Sequence, residues 1–195
     1  GQVVNGRRNA AEGHAFALRE AIAHHNQEAV KELKAIAPYP GKALTIDRVG
    51  VRSKWEMYYG GLAWGRTNYQ FDVDAEELSP DYSRQDLDAI DKGSLFSLNH
   101  LLKPLLDVDF DHVTHFGCPV LVFVGAHDYT TPHQLAEAWF DHIRAPSKRL
   151  VVFADSAHMM MQEQPGRFLV HLVDDALPLA RAAGDAAPAE VERTR

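Results

Sequence analysis

The 195-residue sequence is 46% hydrophobic and 24% charged, which is the balance of a globular chain rather than a disordered or fibrous one. Its 27 acidic and 20 basic residues give a formal net charge of -7, and with no basic cluster present this excludes a broad phosphate-binding face and hence a nucleic-acid partner. The single cysteine, Cys118, excludes an internal disulfide and fits a reducing, cytoplasmic setting, and no apolar segment reaches membrane-spanning length.

The first five residues, Gly1-Gln-Val-Val-Asn5, carry no initiator methionine and no signal-peptide layout, and read as the end of a buried strand entered midway. Asn9-Ala-Ala-Glu12 has the capping-box pattern and predicts a helix to about His25, with Ala15, Leu18 and Ile22 on one face. A second helix is expected from about Asn26 to Ala37, where Pro38 and Pro40 stop it. A third runs over Thr45 to Tyr59 and ends at Gly60-Gly61. Residues 60–80 read as loop. From Ser83 to about Leu106 the pattern fits one long helix or two shorter ones broken near Gly93.

The rhythm then changes. Val120 to Val124 is a continuous apolar run suited to a strand covered on both faces. Pro132 to Ile143 is amphipathic, Arg149 to Phe153 reads as a second buried strand, and Gln164-Pro-Gly166 opens a last helix over Arg167 to Leu179. The predicted fold class is therefore α/β. A helical segment precedes a strand–helix–strand–helix unit with a parallel sheet and a right-handed crossover. The tail from residue 181 to 195 is rich in Ala, Pro and charge and is expected to be flexible.

Open parallel sheets carry their chemistry at the carboxyl ends of strands. Asp128 and His158 each fall just past such an end. A carboxylate beside an imidazole fixes the ring's tautomer and stabilises the imidazolium, so the histidine can take a proton from a nucleophile and return it to a leaving group.

Gly125-Ala-His-Asp128-Tyr-Thr-Thr-Pro132, Asp155-Ser-Ala-His158 and Glu163-Gln-Pro-Gly-Arg-Phe168 together resemble the C-terminal end of an α/β-hydrolase, of the proline iminopeptidase-like branch. The resemblance extends over most of the chain up to about residue 180 and includes Trp55-Glu-Met-Tyr-Tyr-Gly-Gly61. In that fold the triad runs serine, acid, histidine along the chain, so the resemblance makes Asp128 the acid and His158 the base. It implies an end of a core strand with its linker over residues 1–8 and a helical cap over 9–106. The C-terminal part of the α/β-hydrolase parallel sheet then occupies 107–180.

The resemblance also implies hydrolysis of a small amide or peptide with an N-terminal proline, or of a small ester, through an acyl-enzyme and with no cofactor or metal. No G-x-S-x-G occurs, and Gly93-Ser-Leu-Phe-Ser97 has the wrong spacing, so the nucleophile is expected from outside this chain. The expected partner is the N-terminal half of the same hydrolase, with self-association as a further expectation because a lone half exposes a sheet edge. The other reading is a non-catalytic ligand-binding protein on a hydrolase-like scaffold. A third is a helical interaction module joined to a small α/β tail.

The remaining candidates have plainer readings. His127 is read as structural, and His24-His25 and His112 with His115 as surface or packing residues. Cys118 reads as a small buried residue. Trp55, Tyr58, Tyr59 and Trp64 either line a pocket under the cap or pack it. Glu56 and Asp72 are carboxylates that a cap could turn toward a substrate ammonium, with no local motif to secure them.

Overall fold

The computed structural model describes residues 4–42 and 44–186. The chain begins with helices α1 (Gly6–Ala23), α2 (Gln27–Ala35), α3 (Ile46–Tyr58), α4 (Gln70–Glu77) and α5 (Arg84–Leu106). Strand β1 (Val120–Gly125), helix α6 (His133–His142) and strand β2 (Lys148–Phe153) follow. The C-terminal helical run is α7 (Met160–Glu163), α8 (Pro165–His171), a π turn at Leu172–Ala176, and α9 (Leu177–Ala183).

α1 starts four residues earlier than its capping pattern predicts. Asn5 is extended (φ -139°, ψ 111°) and accepts a hydrogen bond from Arg8 N, so it is the cap. Asn9 instead lies buried within the helix and donates through Nδ2 to the Thr130 carbonyl at 2.9 Å. The buried face is also rotated from the predicted one. Ala17 and Ala21 pack with Ala29 and Leu33 of α2, while Ile22 is exposed. Small side chains let the two helices approach closely, and the bulkier Ile22 is left facing out. Ile36, Tyr39 and Trp55 complete this helical core.

Capping residues set the next helices as expected. Asn26 caps α2 by accepting from Ala29 N, and Thr45 caps α3 by accepting from Arg48 N. The predicted loop at 60–80 contains α4, whose first-turn partner is an aromatic, Tyr69, with no side-chain cap. α5 is one unbroken helix through Gly93, closed at its start by reciprocal hydrogen bonds between Ser83 and Asp86.

β1 and β2 pair in parallel, from Val120 opposite Lys148 to Gly125 opposite Phe153. Among the described residues this is a two-stranded sheet. Alternation along β1 divides its cover. Val122 and Val124 pack with Ala136 and Trp139 of α6, whereas Phe123 packs with Val151, Phe153, Met160 and Phe168. β2 is not buried on both faces as expected, because Val152 is exposed between buried Val151 and Phe153. The architecture is thus mixed α/β, with a helical layer N-terminal to a βαβ unit.

Val4 is buried and its carbonyl accepts from Phe110 N at 2.7 Å, while Asn5 makes an antiparallel bridge with Asp109. The rest of the expected N-terminal strand, residues 1–3, lies outside the described residues. At the other end, residues expected in the tail are helical as far as Ala183, where Gly184 (φ 75°) takes the left-handed conformation that closes the helix. Residues 187–195 lie outside the described residues. Among the described residues, no helix is long and apolar enough to cross a membrane.

Candidate active site

Parallel pairing brings the carboxyl ends of β1 and β2 to one edge, and both loops that leave this edge are tight. After β1, Asp128 N donates to Gly125 O at 3.1 Å and His133 N donates to Asp128 O at 3.0 Å, folding 125–133 into a compact turn ahead of α6. After β2, Ser156 and Ala157 bring their carbonyl oxygens so close to Gly125 that a Cβ there would overlap them. Glycine is required at Gly125 by this close approach. His127 N donates to Ser156 O at 3.0 Å, which stitches the two loops together.

The result is a contact between the two residues the sequence singles out. His158 Nδ1 lies 2.9 Å from Asp128 Oδ2. Asp128 is 2% exposed, and a carboxylate this deep needs donors. Thr131 supplies two of them. Its N–H donates to Oδ1 at 2.8 Å and its hydroxyl donates to Oδ2 at 3.0 Å. With Nδ1 carrying the proton toward Asp128, the basic nitrogen is Nε2. Among the described residues Nε2 has no hydrogen-bond partner, and the His158 side chain retains 23% of its exposure. The pair can therefore accept a proton at an open imidazole nitrogen from a group brought to it.

The helical layer reaches this edge through the turn that ends α3. Gly61 O accepts from Tyr129 N at 3.0 Å, and Leu62 O accepts from His158 N at 2.9 Å. Phe16 of α1 stacks on Tyr129 with centroids 3.7 Å apart, and Trp64 stacks on His127 at 3.4 Å. His127 thus packs, as read from sequence. Glu56 is buried, accepts from the Thr130 hydroxyl and pairs with Arg52, so it is engaged within the protein rather than open to a ligand. Burial holds the Arg52 guanidinium below its ordinary value. Asp72, also buried, faces Arg66 at 3.7 Å.

The aromatic candidates divide. Trp55 enters the helical core and donates through Nε1 to Glu32 at 2.7 Å. Tyr58, Tyr59 and Trp64 instead line a cavity of about 470 Å³ together with Glu20, His24 and Arg66. Burial pushes the Tyr59 phenol up from its usual range. Cys118 is exposed rather than buried, on the stretch entering β1. Among the described residues no group of His, Cys, Asp or Glu is disposed to hold a metal ion.

The sequence did not single out Thr131, Glu163 or the carbonyls of Gly61 and Leu62. A local signal existed in Asp128 itself, since an aspartate in a turn readily accepts from backbone N–H groups nearby, as it does from Thr131 N. The others depend on tertiary contacts.

No family model matches the chain, and no solved structure matches it. Over 89 residues the chain is 28% identical to the probable aminopeptidase YbaC of Bacillus subtilis (strain 168), a stretch that covers 45% of this chain and 28% of that relative. The chain therefore spans less than a third of that relative's length, and what it shares with it is a limited similarity.

Proposed function

We propose that these residues are the cap and C-terminal part of a serine hydrolase of the α/β-hydrolase fold, with Asp128 and His158 as two members of its triad. The observation that carries this reading is the 2.9 Å contact between His158 Nδ1 and the buried Asp128 carboxylate. Acid precedes histidine along the chain, as that fold requires. The limited similarity to a probable aminopeptidase supports the same class.

In this reading a serine from outside the 195 residues attacks the carbonyl of a small N-terminal-proline peptide or amide, or of a small ester. His158 Nε2 takes the hydroxyl proton as the Oγ–C bond forms and gives it to the departing amine or alcohol. Water then attacks the acyl-enzyme by the same route, and Asp128 keeps the ring in place and stabilises its cation. The open two-stranded sheet and the exposed Leu169, Val170 and Val173 beyond it support the N-terminal half of the hydrolase as covering partner.

The test is hydrolysis of prolyl-p-nitroanilide and p-nitrophenyl acetate by the complete protein that carries these residues. Turnover of either, lost in His158→Ala, is expected. Failure to turn over both would overturn the reading and favour a ligand-binding scaffold, for which the cavity beside Trp64 is the feature to probe.

A further inference from the structure

The backbone around His158 is held at few points. His158 N donates to Leu62 O, and Ala157 N, one residue earlier, donates to Glu163 Oε2 at 2.9 Å. Glu163 is the last residue of the four-residue helix α7. Its second oxygen, Oε1, accepts from Trp64 N. One carboxylate therefore takes a hydrogen bond from the histidine loop and another from the turn that follows α3. These segments are far apart in sequence, and the same turn already accepts from Tyr129 N and His158 N. Charge-assisted bonds of this kind are stronger than neutral ones and more demanding in geometry.

Resting on the function proposed above, we propose that Glu163 is a positioning residue for His158. Its carboxylate clamps Ala157 to Trp64 and so sets where the imidazole stands over Asp128. Trp64 also stacks on His127, beside Asp128, and lines the aromatic cavity, so the clamp joins the cavity wall to both loops of the pair. The chemistry requires a carboxylate. Glutamine has the same shape but a single acceptor oxygen, so it can serve only one of the two N–H groups.

The experiment is an imidazole ¹⁵N–¹H spectrum of the labelled chain, with His158 assigned by its loss in His158→Gln. In the wild type the ring carries its proton on Nδ1 with Nε2 bare. In Glu163→Gln the Nδ1 proton signal is lost and the ring interconverts between tautomers. Phe168→Leu, which loosens the apolar packing against Phe123 without touching the clamp, keeps the Nδ1 proton.

An unchanged ring in Glu163→Gln overturns the positioning role, and so does equal loss in Phe168→Leu. A wild-type ring without the Nδ1 proton overturns the acid–histidine pair itself, a failure visible before any variant is compared. If Glu163→Gln does not fold, hydrogen exchange in the wild type decides. The clamp slows the Ala157 and Trp64 amides together, and free exchange of either overturns it.

Discussion

The loops beyond β1 and β2 and the arm made by α4 and α5 are held by different kinds of contact. Around Asp128 and His158, bonds link residues far apart in sequence: Asn9 to Thr130, Gly61 to Tyr129, Leu62 to His158, Glu163 to Trp64. Asp128 there is buried, and its carboxylate is held by Thr131 and His158. Along α5 the bonds are mostly local, between Ser83 and Asp86, Arg84 and Asp88, Lys103 and Asp107, with one long-range tie from Arg7 of α1 to Asp107 at its C-terminal end. Leu95, Phe96, Leu101 and Leu105 of the same helix stand exposed. The difference teaches that the geometry of the pair is a tertiary product of helical layer and sheet together, whereas the arm is a helix sustained mainly by bonds at its own ends. Mutations should therefore propagate in the first region and stay local in the second.

The largest expected effect is on chemistry. Under the proposed function, Asp128→Asn keeps the shape but offers Nδ1–H a poorer acceptor, and kcat of the complete protein should fall on the order of 10⁴-fold. The fold should persist by circular dichroism. A loss within tenfold on the chromogenic substrates would break the comparison at its functional end. Next comes packing. Phe153 is fully buried between β2 and α8, and Phe153→Ala should cost about 3–5 kcal/mol in urea denaturation.

The same truncation at exposed Phe96 should stay within about 0.5 kcal/mol. Equal costs at the two phenylalanines would mean that α5 is packed after all. Removing the α5 cap with Ser83→Ala should cost about 1 kcal/mol and raise amide exchange chiefly in the first turn of α5.

The smallest effect is on pH. The Ser83 hydroxyl and N–H hold the Asp86 carboxyl below its usual range, and Lys103 and Arg7 do the same for Asp107. A depressed folded-state value means that this support is full above the ordinary aspartate value of about 4 and is lost as pH falls through the lower, folded-state value. Amide protection at both ends of α5, taken relative to the intrinsic exchange rate at each pH, should therefore fall on acidification below pH of about 4 and stay constant between about 6 and 8. Unchanged protection across that acid range would remove the carboxylates from the account of the arm.

Much of this contrast was legible in the sequence, and the reasons are specific. Asp128 and His158 each follow an apolar run closely, three residues after Gly125 and five after Phe153, and parallel pairing of those runs must bring their ends together. Asn26 and Thr45 mark helix starts because each is a lone capping residue before an apolar repeat. The start of α1 was misplaced because Asn9-Ala-Ala-Glu12 matches a capping box, whereas Asn5 caps the helix and Asn9 turns within it to the Thr130 carbonyl. α4 has Tyr69 where a capping residue would announce it, and the π turn at 172–176 breaks the ordinary helical period. The exposed face of β2 depends on what covers the sheet, which no alternation within Arg149 to Phe153 reveals. Glu163 was visible as part of a motif, but its clamp exists only once Trp64 is folded beside it.

The measurement that bears most directly on the central claim is intact-mass analysis of the complete protein after exposure to a fluorophosphonate. The account predicts one covalent adduct, on a serine outside these 195 residues, formed in the wild type and nearly abolished in His158→Ala. An adduct that forms equally fast without His158, or no adduct at all in a folded protein, would contradict it.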